Sequence, residues 1–175
     1  GIISLIKSLP LIIRTFKQAI DSMKNKNAAH KGLRTEQDLP IPVLIAVALV
    51  IAVLIWLIPT FPVNLIGALI IVVFGFFFAT VSSRMVGLIG SSNNPVSGMT
   101  IATLLVTAMI LKATGQVGQA GMTAAIAIGS VICIIAAIAG DTSQDLKTGY
   151  LLGATPKTQQ IGELIGVVAS GLAIG

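Results

Sequence analysis

The chain has 175 residues, 55% of them hydrophobic and 10% charged, and a mean hydropathy of +0.99. A soluble domain carries about a quarter charged residues, so this composition excludes a soluble globular domain. The net charge of +5 is uneven, with seven of the eleven Lys and Arg and three of the six acids in residues 1–40. A basic excess beside an apolar span marks a cytoplasmic segment. Only Phe16 interleaves an aromatic ring with these charges, so no nucleic-acid partner is expected.

Residues 10–24 have the spacing of an amphipathic helix. Ile12, Phe16, Ala19, Ile20 and Met23 share one face, and Arg14, Lys17, Asp21 and Lys24 share another. Such a helix can lie in the headgroup layer or pack on a neighbouring loop. Residues 25–40 read as a polar loop that contains the single His30. Residues 1–40 together form an expected cytoplasmic basic region, and residues 41–175 an expected transmembrane region.

The first span is predicted over about 42–59, where sixteen apolar residues stand between Pro42 and Pro59 and Trp56 sits at the end as an interface anchor. The second is predicted over 63–81, opening at Asn64. Residues 82–98 interrupt the apolar pattern with Ser82, Ser83, Arg84 and a run rich in Ser, Asn and Gly. A shorter apolar stretch at 99–113 carries Thr100, Thr103 and Thr107, a Gly and Gln linker covers 114–121, and another span covers 122–139. Residues 140–160 are again polar, and a last span begins near Ile161 and is cut at 175. Cys133 lies among large apolar residues and reads as packing, since a lone cysteine makes neither a disulfide framework nor a metal site. The chain opens on Gly1 without an initiator Met and ends on Gly175 in an apolar stretch, so it is expected to be an internal piece of a longer protein. If residues 1–40 are cytoplasmic, paired crossings bring Arg84, Lys147 and Lys157 back to that side, with Lys112 near the other. Two full spans or a re-entrant hairpin over 99–140 give the same sidedness. The fold class is therefore an all-α polytopic membrane bundle, with the lipid bilayer as its first partner.

Three constellations could carry chemistry. In residues 91–98, Asn93 or Asn94 could cap a helix starting at Pro95, whose free N–H groups would attract an anionic group. An ordinary polar loop explains the same residues equally well. Asp141 and Asp145 are four apart, so a helix would put them on one face. They are the only basis for an alternative reading, an intramembrane enzyme, and Asp141 near the start of a capped cytoplasmic helix explains them as well. No zinc-protease motif, serine nucleophile with a base or phosphate-cradling loop accompanies them. Glu163 opens the last apolar segment, and an ionisable group in such a segment is costly and a functional suspect. The Gly162/Gly166 and Gly171/Gly175 spacings suit close helix packing.

The stretch Ser82-Ser83-Arg84-Met85-Val86-Gly87-Leu88-Ile89-Gly90-Ser91-Ser92-Asn93-Asn94-Pro95-Val96-Ser97-Gly98-Met99-Thr100 resembles a signature of the oligopeptide transporter (OPT) family, which includes the yellow stripe-like metal-chelate transporters. Gly140-Asp141-Thr142-Ser143-Gln144-Asp145-Leu146-Lys147-Thr148-Gly149-Tyr150-Leu151-Leu152-Gly153-Ala154-Thr155-Pro156, followed by Gln159-Gln160-Ile161-Gly162, looks like a second. The likeness is closest to prokaryotic members. It implies a multi-pass protein of the cell membrane, the inner one where there are two. It also implies uptake of small peptides or peptide-like metal chelates, generally with protons, through a site completed by the remaining helices of a longer chain. On this reading Ser91, Ser92, Asn93, Asn94 and Ser97 are the expected substrate-binding residues and Glu163 the expected proton-linked group. No catalytic residue, metal ligand or cofactor is expected. A non-catalytic membrane assembly subunit is a weaker alternative.

Overall fold

The computed structural model describes residues 33–58 and 62–174, together with Pro10 and Arg14. The remainder of the expected amphipathic helix, His30 and the polar loop up to residue 32 lie outside the described residues. Among the described residues from 33 on, five helices follow one another: α1 (Ile41–Leu57), α2 (Leu65–Ile89), α3 (Val96–Ala113), α4 (Gly118–Leu152) and α5 (Pro156–Ile174). Short 3-10 turns occupy Arg34–Glu36 and Ser91–Asn93. No strand occurs among the described residues, and the protein is an all-helical membrane bundle.

Helix starts and stops follow local chemistry. α1 begins behind Pro40 with Pro42 in its first turn, where a missing N–H costs nothing. Asn64 caps α2, its Oδ1 accepting from Gly67 N at 2.8 Å. Gly153 ends α4 at φ 74°, ψ 24°, and Ala154 N donates to Gly149 O at 2.8 Å, a glycine-dependent helix stop. Gly90, at φ 109°, releases the chain from α2 into the Ser91–Asn93 turn, and a side chain there would be strained.

Among the described residues three helices are long and apolar enough to cross a membrane: Leu65–Ile89, Gly118–Leu152, and the stretch Ser91–Ala113, which contains α3. At about 1.5 Å per residue α2 is about 37 Å long and α4 about 52 Å, against about 30 Å of hydrocarbon. α1 is a shorter apolar helix, Pro42–Leu57, of about 24 Å. α3 and α4 are joined by a tight turn at residues 114–117, so each has the length for its own crossing.

Two polar stretches that interrupt the apolar pattern are helical. Ser82, Ser83 and Arg84 belong to the last turns of α2, and residues 141–152 continue α4. Asp141 therefore stands deep in a long helix and not near a helix start. Ser82, Ser83, Ser143 and Lys147 stay compatible with the helix because they bond to carbonyls of the neighbouring helix, while Thr148 bonds back to Gln144 O of its own helix.

α2 and α4 lie side by side and run parallel. Gly67 lies against Ile128 and Gly75 against Ile135, while Ser82 meets Ala136 and Ser83 meets Ala139. α3 returns antiparallel and packs chiefly on α4. Its buried Met99, Thr103, Thr107 and Leu111 fall on one stripe, and Leu104 lies over Gly129 of α4. The core gathers Ile70, Ile71, Phe78 and Val81 of α2 with Ile128, Ile132 and Ala136 of α4. Phe78 stacks on Phe74 at 5.8 Å and meets Phe77 edge-on at 5.3 Å. α1 is nearly all exposed, with Ile55 packed against this core. A helix apolar on every face is suited to lipid rather than water.

The elements sort to two ends. Residues 33–40, the Ser91–Asn93 turn, the last turns of α4 and the start of α5 share one end, here called the near end. The 114–117 turn is at the far end. Arg34, Arg84, Lys147 and Lys157 are at or close to the near end, and Lys112 is close to the far one.

Candidate functional site

The two sequence stretches that carry the family likeness pack on each other at the near end. Ser82 Oγ donates to Ala136 O at 2.5 Å and also lies 3.0 Å from Asn94 Oδ1. The hydroxyl has one proton, and the shorter contact, to Ala136 O, takes it. Asn94 Nδ2 donates to the same Ala136 carbonyl at 3.2 Å. Ser83 Oγ donates to Ala139 O at 3.0 Å, and Ser143 Oγ returns a bond to Ser83 O at 2.6 Å. Lys147 Nζ donates to Gly87 O at 2.5 Å, in the last turn of α2, where a cation is favoured by the helix dipole. Ser91 N donates to Gln144 Oε1 at 2.9 Å. Gly140 makes room for this seam, because a Cβ there would press on Asn94, Ser82 and Val86. Interhelical bonds of this kind contribute about 0.6 kcal/mol each in membranes, up to about 1.7.

The expected substrate-binding residues divide accordingly. Ser91, Ser92, Asn93 and Ser97 are exposed around the turn, whereas Asn94 is half-buried in the seam. Neither Asn93 nor Asn94 caps α3: Pro95 is its N-cap residue, and no side chain bonds the first turn. The sequence expectation of an Asn cap is thus corrected. Asn94 spends its amide N–H on Ala136 O, with its Oδ1 beside the Ser82 hydroxyl, while the free N–H groups of α3 are left open.

Beside the turn lies a polar recess of about 330 Å³, lined by Ser91, Asp141, Gln144, Asp145 and Thr148. Asp141 and Asp145 do share a face. Asp145 Oδ2 accepts from Gln159 Nε2 at 3.1 Å, and Gly149 leaves space for that Gln159 amide. Glu163, one turn further along α5, faces Thr142 and Asp145. Its Oε1 is buried without a hydrogen-bond partner, as is Gln159 Oε1. Among the described residues no three His, Cys, Asp or Glu side chains gather to hold a metal ion.

Residues 34–39 complete the near end. Arg34 Nη2 donates to Gly153 O at 2.9 Å, Leu39 N to Gln160 Oε1 at 2.9 Å, and Gln160 Nε2 to Asp38 Oδ1 at 3.2 Å. Lys157 N donates to Gln37 O at 2.8 Å. Sequence reading missed Ser143, Gln144, Lys147, Gln159 and Gln160 as organising residues. The available signal was the helical spacing of Ser143, Gln144 and Lys147 in α4 and the paired Gln159 and Gln160 in the first turns of α5.

The model of the family described as "OPT oligopeptide transporter protein" matches residues 2–174. A putative oligopeptide transporter of Haemophilus influenzae is 38% identical over 109 residues, covering 57% of this chain and 17% of its own length. A putative oligopeptide transporter of Saccharomyces cerevisiae is 41% identical over 73 residues, covering 42% of this chain and 10% of its own length. The chain thus spans less than a fifth of the length of either curated relative. No solved structure matches it. A match running from residue 2 to residue 174, over five helices and both seam-forming stretches, makes this chain a member of the OPT oligopeptide transporter family.

Proposed function

We propose that the transporter containing this chain takes up small peptides or peptide-like metal chelates by secondary active transport coupled to protons, and that the near end lines part of the substrate path. The observation that carries the reading is the family match across the whole bundle. An intramembrane enzyme built on Asp141 and Asp145 is less well supported. Asp145 is engaged by Gln159, and the family is one of transporters.

Substrate meets the exposed polar groups of Ser91, Ser92, Asn93 and Ser97, with Asn94 holding the turn in place and contributing at its base. The uncapped first turn of α3 presents N–H groups suited to a peptide carboxylate. Glu163 is the proton-linked group, since a carboxyl oxygen buried without a partner is well placed to gain and lose a proton. The protein works in the cell membrane with the near end toward the cytoplasm, because the near end holds most of the described bases.

Three substitutions in the full-length protein separate the roles, after membrane abundance has been matched. Asn93→Ala and Asn94→Ala should weaken substrate binding by about 1–3 kcal/mol where a buried partner is left unpaired, with proton dependence retained. Glu163→Gln should retain binding and flatten uptake against pH. Wild-type isotherms for both Asn variants would remove the turn from the path, and an unchanged pH curve for Glu163→Gln would remove Glu163 from coupling. Absence of gradient-driven uptake over a panel of di- to hexapeptides and metal chelates would overturn the transport reading itself.

A further inference from the structure

We propose that residues 34–39 are a latch that fixes the near end of α1 to the α4–α5 elbow, so that α1 and the start of α5 travel as one body when the transporter changes conformation. The motion is that of the transport reading above; the latch itself stands on geometry alone. Four bonds join segments about 120 residues apart. The Gln37 carbonyl takes the N–H of Lys157 in the first turn of α5, one of the donors a helix start leaves unsatisfied. The Arg34 guanidinium takes the Gly153 carbonyl at the end of α4, where a cation meets the negative end of the helix dipole. Gln160 closes the middle, accepting from Leu39 N and donating to Asp38. One short strap thereby seals both helix ends that meet at the elbow.

α1 has little else to hold it. Within the bilayer region only Ala52 and Ile55 are half-buried, and the other described side chains of the helix are exposed. Lipid tails are as apolar as Leu and Val side chains, so such a helix gains no hydrophobic drive to stay against its neighbours. Among the described residues the bonds that fix its near end are those of the strap, which is tied to the end of α4 through Arg34 and to the start of α5 through Gln37, Asp38 and Leu39.

The test uses the full-length protein in detergent or nanodiscs. Gln160→Ala removes the acceptor for Leu39 N, so hydrogen exchange of the peptide covering residues 37–40 should speed up by about tenfold or more. Arg34→Ala is the second variant, and should speed exchange of the same peptide without touching Gln160. Unchanged exchange in both would overturn the latch, whether or not the protein transports peptides. Movement as one body is tested by Asp38→Cys with Gln160→Cys in a Cys133→Ala background, bridged by a short bifunctional thiol reagent. The bridge should form with equal yield with and without a proton gradient and substrate, and the bridged protein should keep most of its uptake. A yield that falls under the gradient, or uptake lost on bridging and restored by cleaving the bridge, would show that the strap must open and would overturn the proposal. If unbridged wild-type protein takes up nothing, the transport reading fails instead, and exchange and bridging yield still judge the latch.

Discussion

Gly140→Ala sets two physical effects against each other with opposite signs. In an open helix interior, Ala is favoured over Gly by about 1 kcal/mol. At Gly140 the added methyl would press on the Asn94 amide and stand 3.0 Å from Ser82 Oγ and 3.1 Å from Val86 Cγ2. The Asn94 amide must leave its place and the Ser82 and Val86 side chains must give way, and overpacking of this kind costs about 1–3 kcal/mol. Displacing Asn94 and Ser82 also weakens their bonds to Ala136, worth about 0.6 kcal/mol each. The clash wins, and we expect a net loss of about 1–2 kcal/mol. The assay is reversible unfolding of the full-length protein in mixed micelles, run as a cycle with Asn94→Ala. Because Asn94 is one of the groups in the way, the double variant should lose less than the sum of the singles, by about 0.5 kcal/mol or more. A Gly140→Ala protein more stable than wild type, or two losses that simply add, would refute the reasoning.

The protein should resist extraction by carbonate or high salt and require detergent, since three helices are long and apolar enough to span; folded, monodisperse material in detergent-free buffer would contradict this. In intact cells carrying the full-length Cys133→Ala protein, a cysteine at Gln119 should react with an impermeant thiol reagent and one at Ser92 should not, because they lie at opposite ends of the bundle. The reverse pattern would invert the topology. Thr107 is fully buried and its Oγ1 has no hydrogen-bond partner. Thr107→Val keeps the shape and removes a desolvated hydroxyl, so it should be neutral or stabilise by up to about 1 kcal/mol; a loss of that size measured by the same unfolding assay would mean the hydroxyl is partnered in the full protein.

Hydropathy made the membrane spans legible, and Asn64 and the Pro42 turn were readable as helix starts. What it hid was the continuity of α2 and α4. Ser82, Ser83 and residues 141–147 look like loop chemistry because polar runs break an apolar window. In the bundle Ser82, Ser83, Ser143 and Lys147 donate to carbonyls of the neighbouring helix, and the Gln144 side-chain oxygen accepts from Ser91 N. The true stop for α4 was present as Gly153 followed by Pro156, a helix-ending pair whose weight was masked by the polar stretch ahead of it. Asn94 misled in a related way. Its sequence position next to a proline suggests a cap, but the closeness of Ala136 is a tertiary fact that spacing along the chain does not encode. The clustering of Gln159, Gln160 and Glu163 around the elbow likewise depends on α5 folding back, which no local pattern states.

The order in which these elements leave a ribosome gives the strap a further meaning. Arg34 and Gln37 are synthesised more than a hundred residues before Gly153 and Lys157, so α1 enters the bilayer long before its anchor exists. It can wait there, because it is apolar on every side and lipid is an adequate solvent for all of it. α4 is less free to wait. The hydroxyls of Thr142 and Ser143 and the charge of Lys147 lie on its final turns, at the edge of the apolar region, and the serines that bond to it arrive earlier, on α2. Synthesis therefore places the lipid-tolerant helix first, the polar seam's first half second, and the half that completes it last. The bonds from residues 34–39 to the elbow can form only once α4 and the first turns of α5 have been made, which makes their closure a marker that the seam is complete.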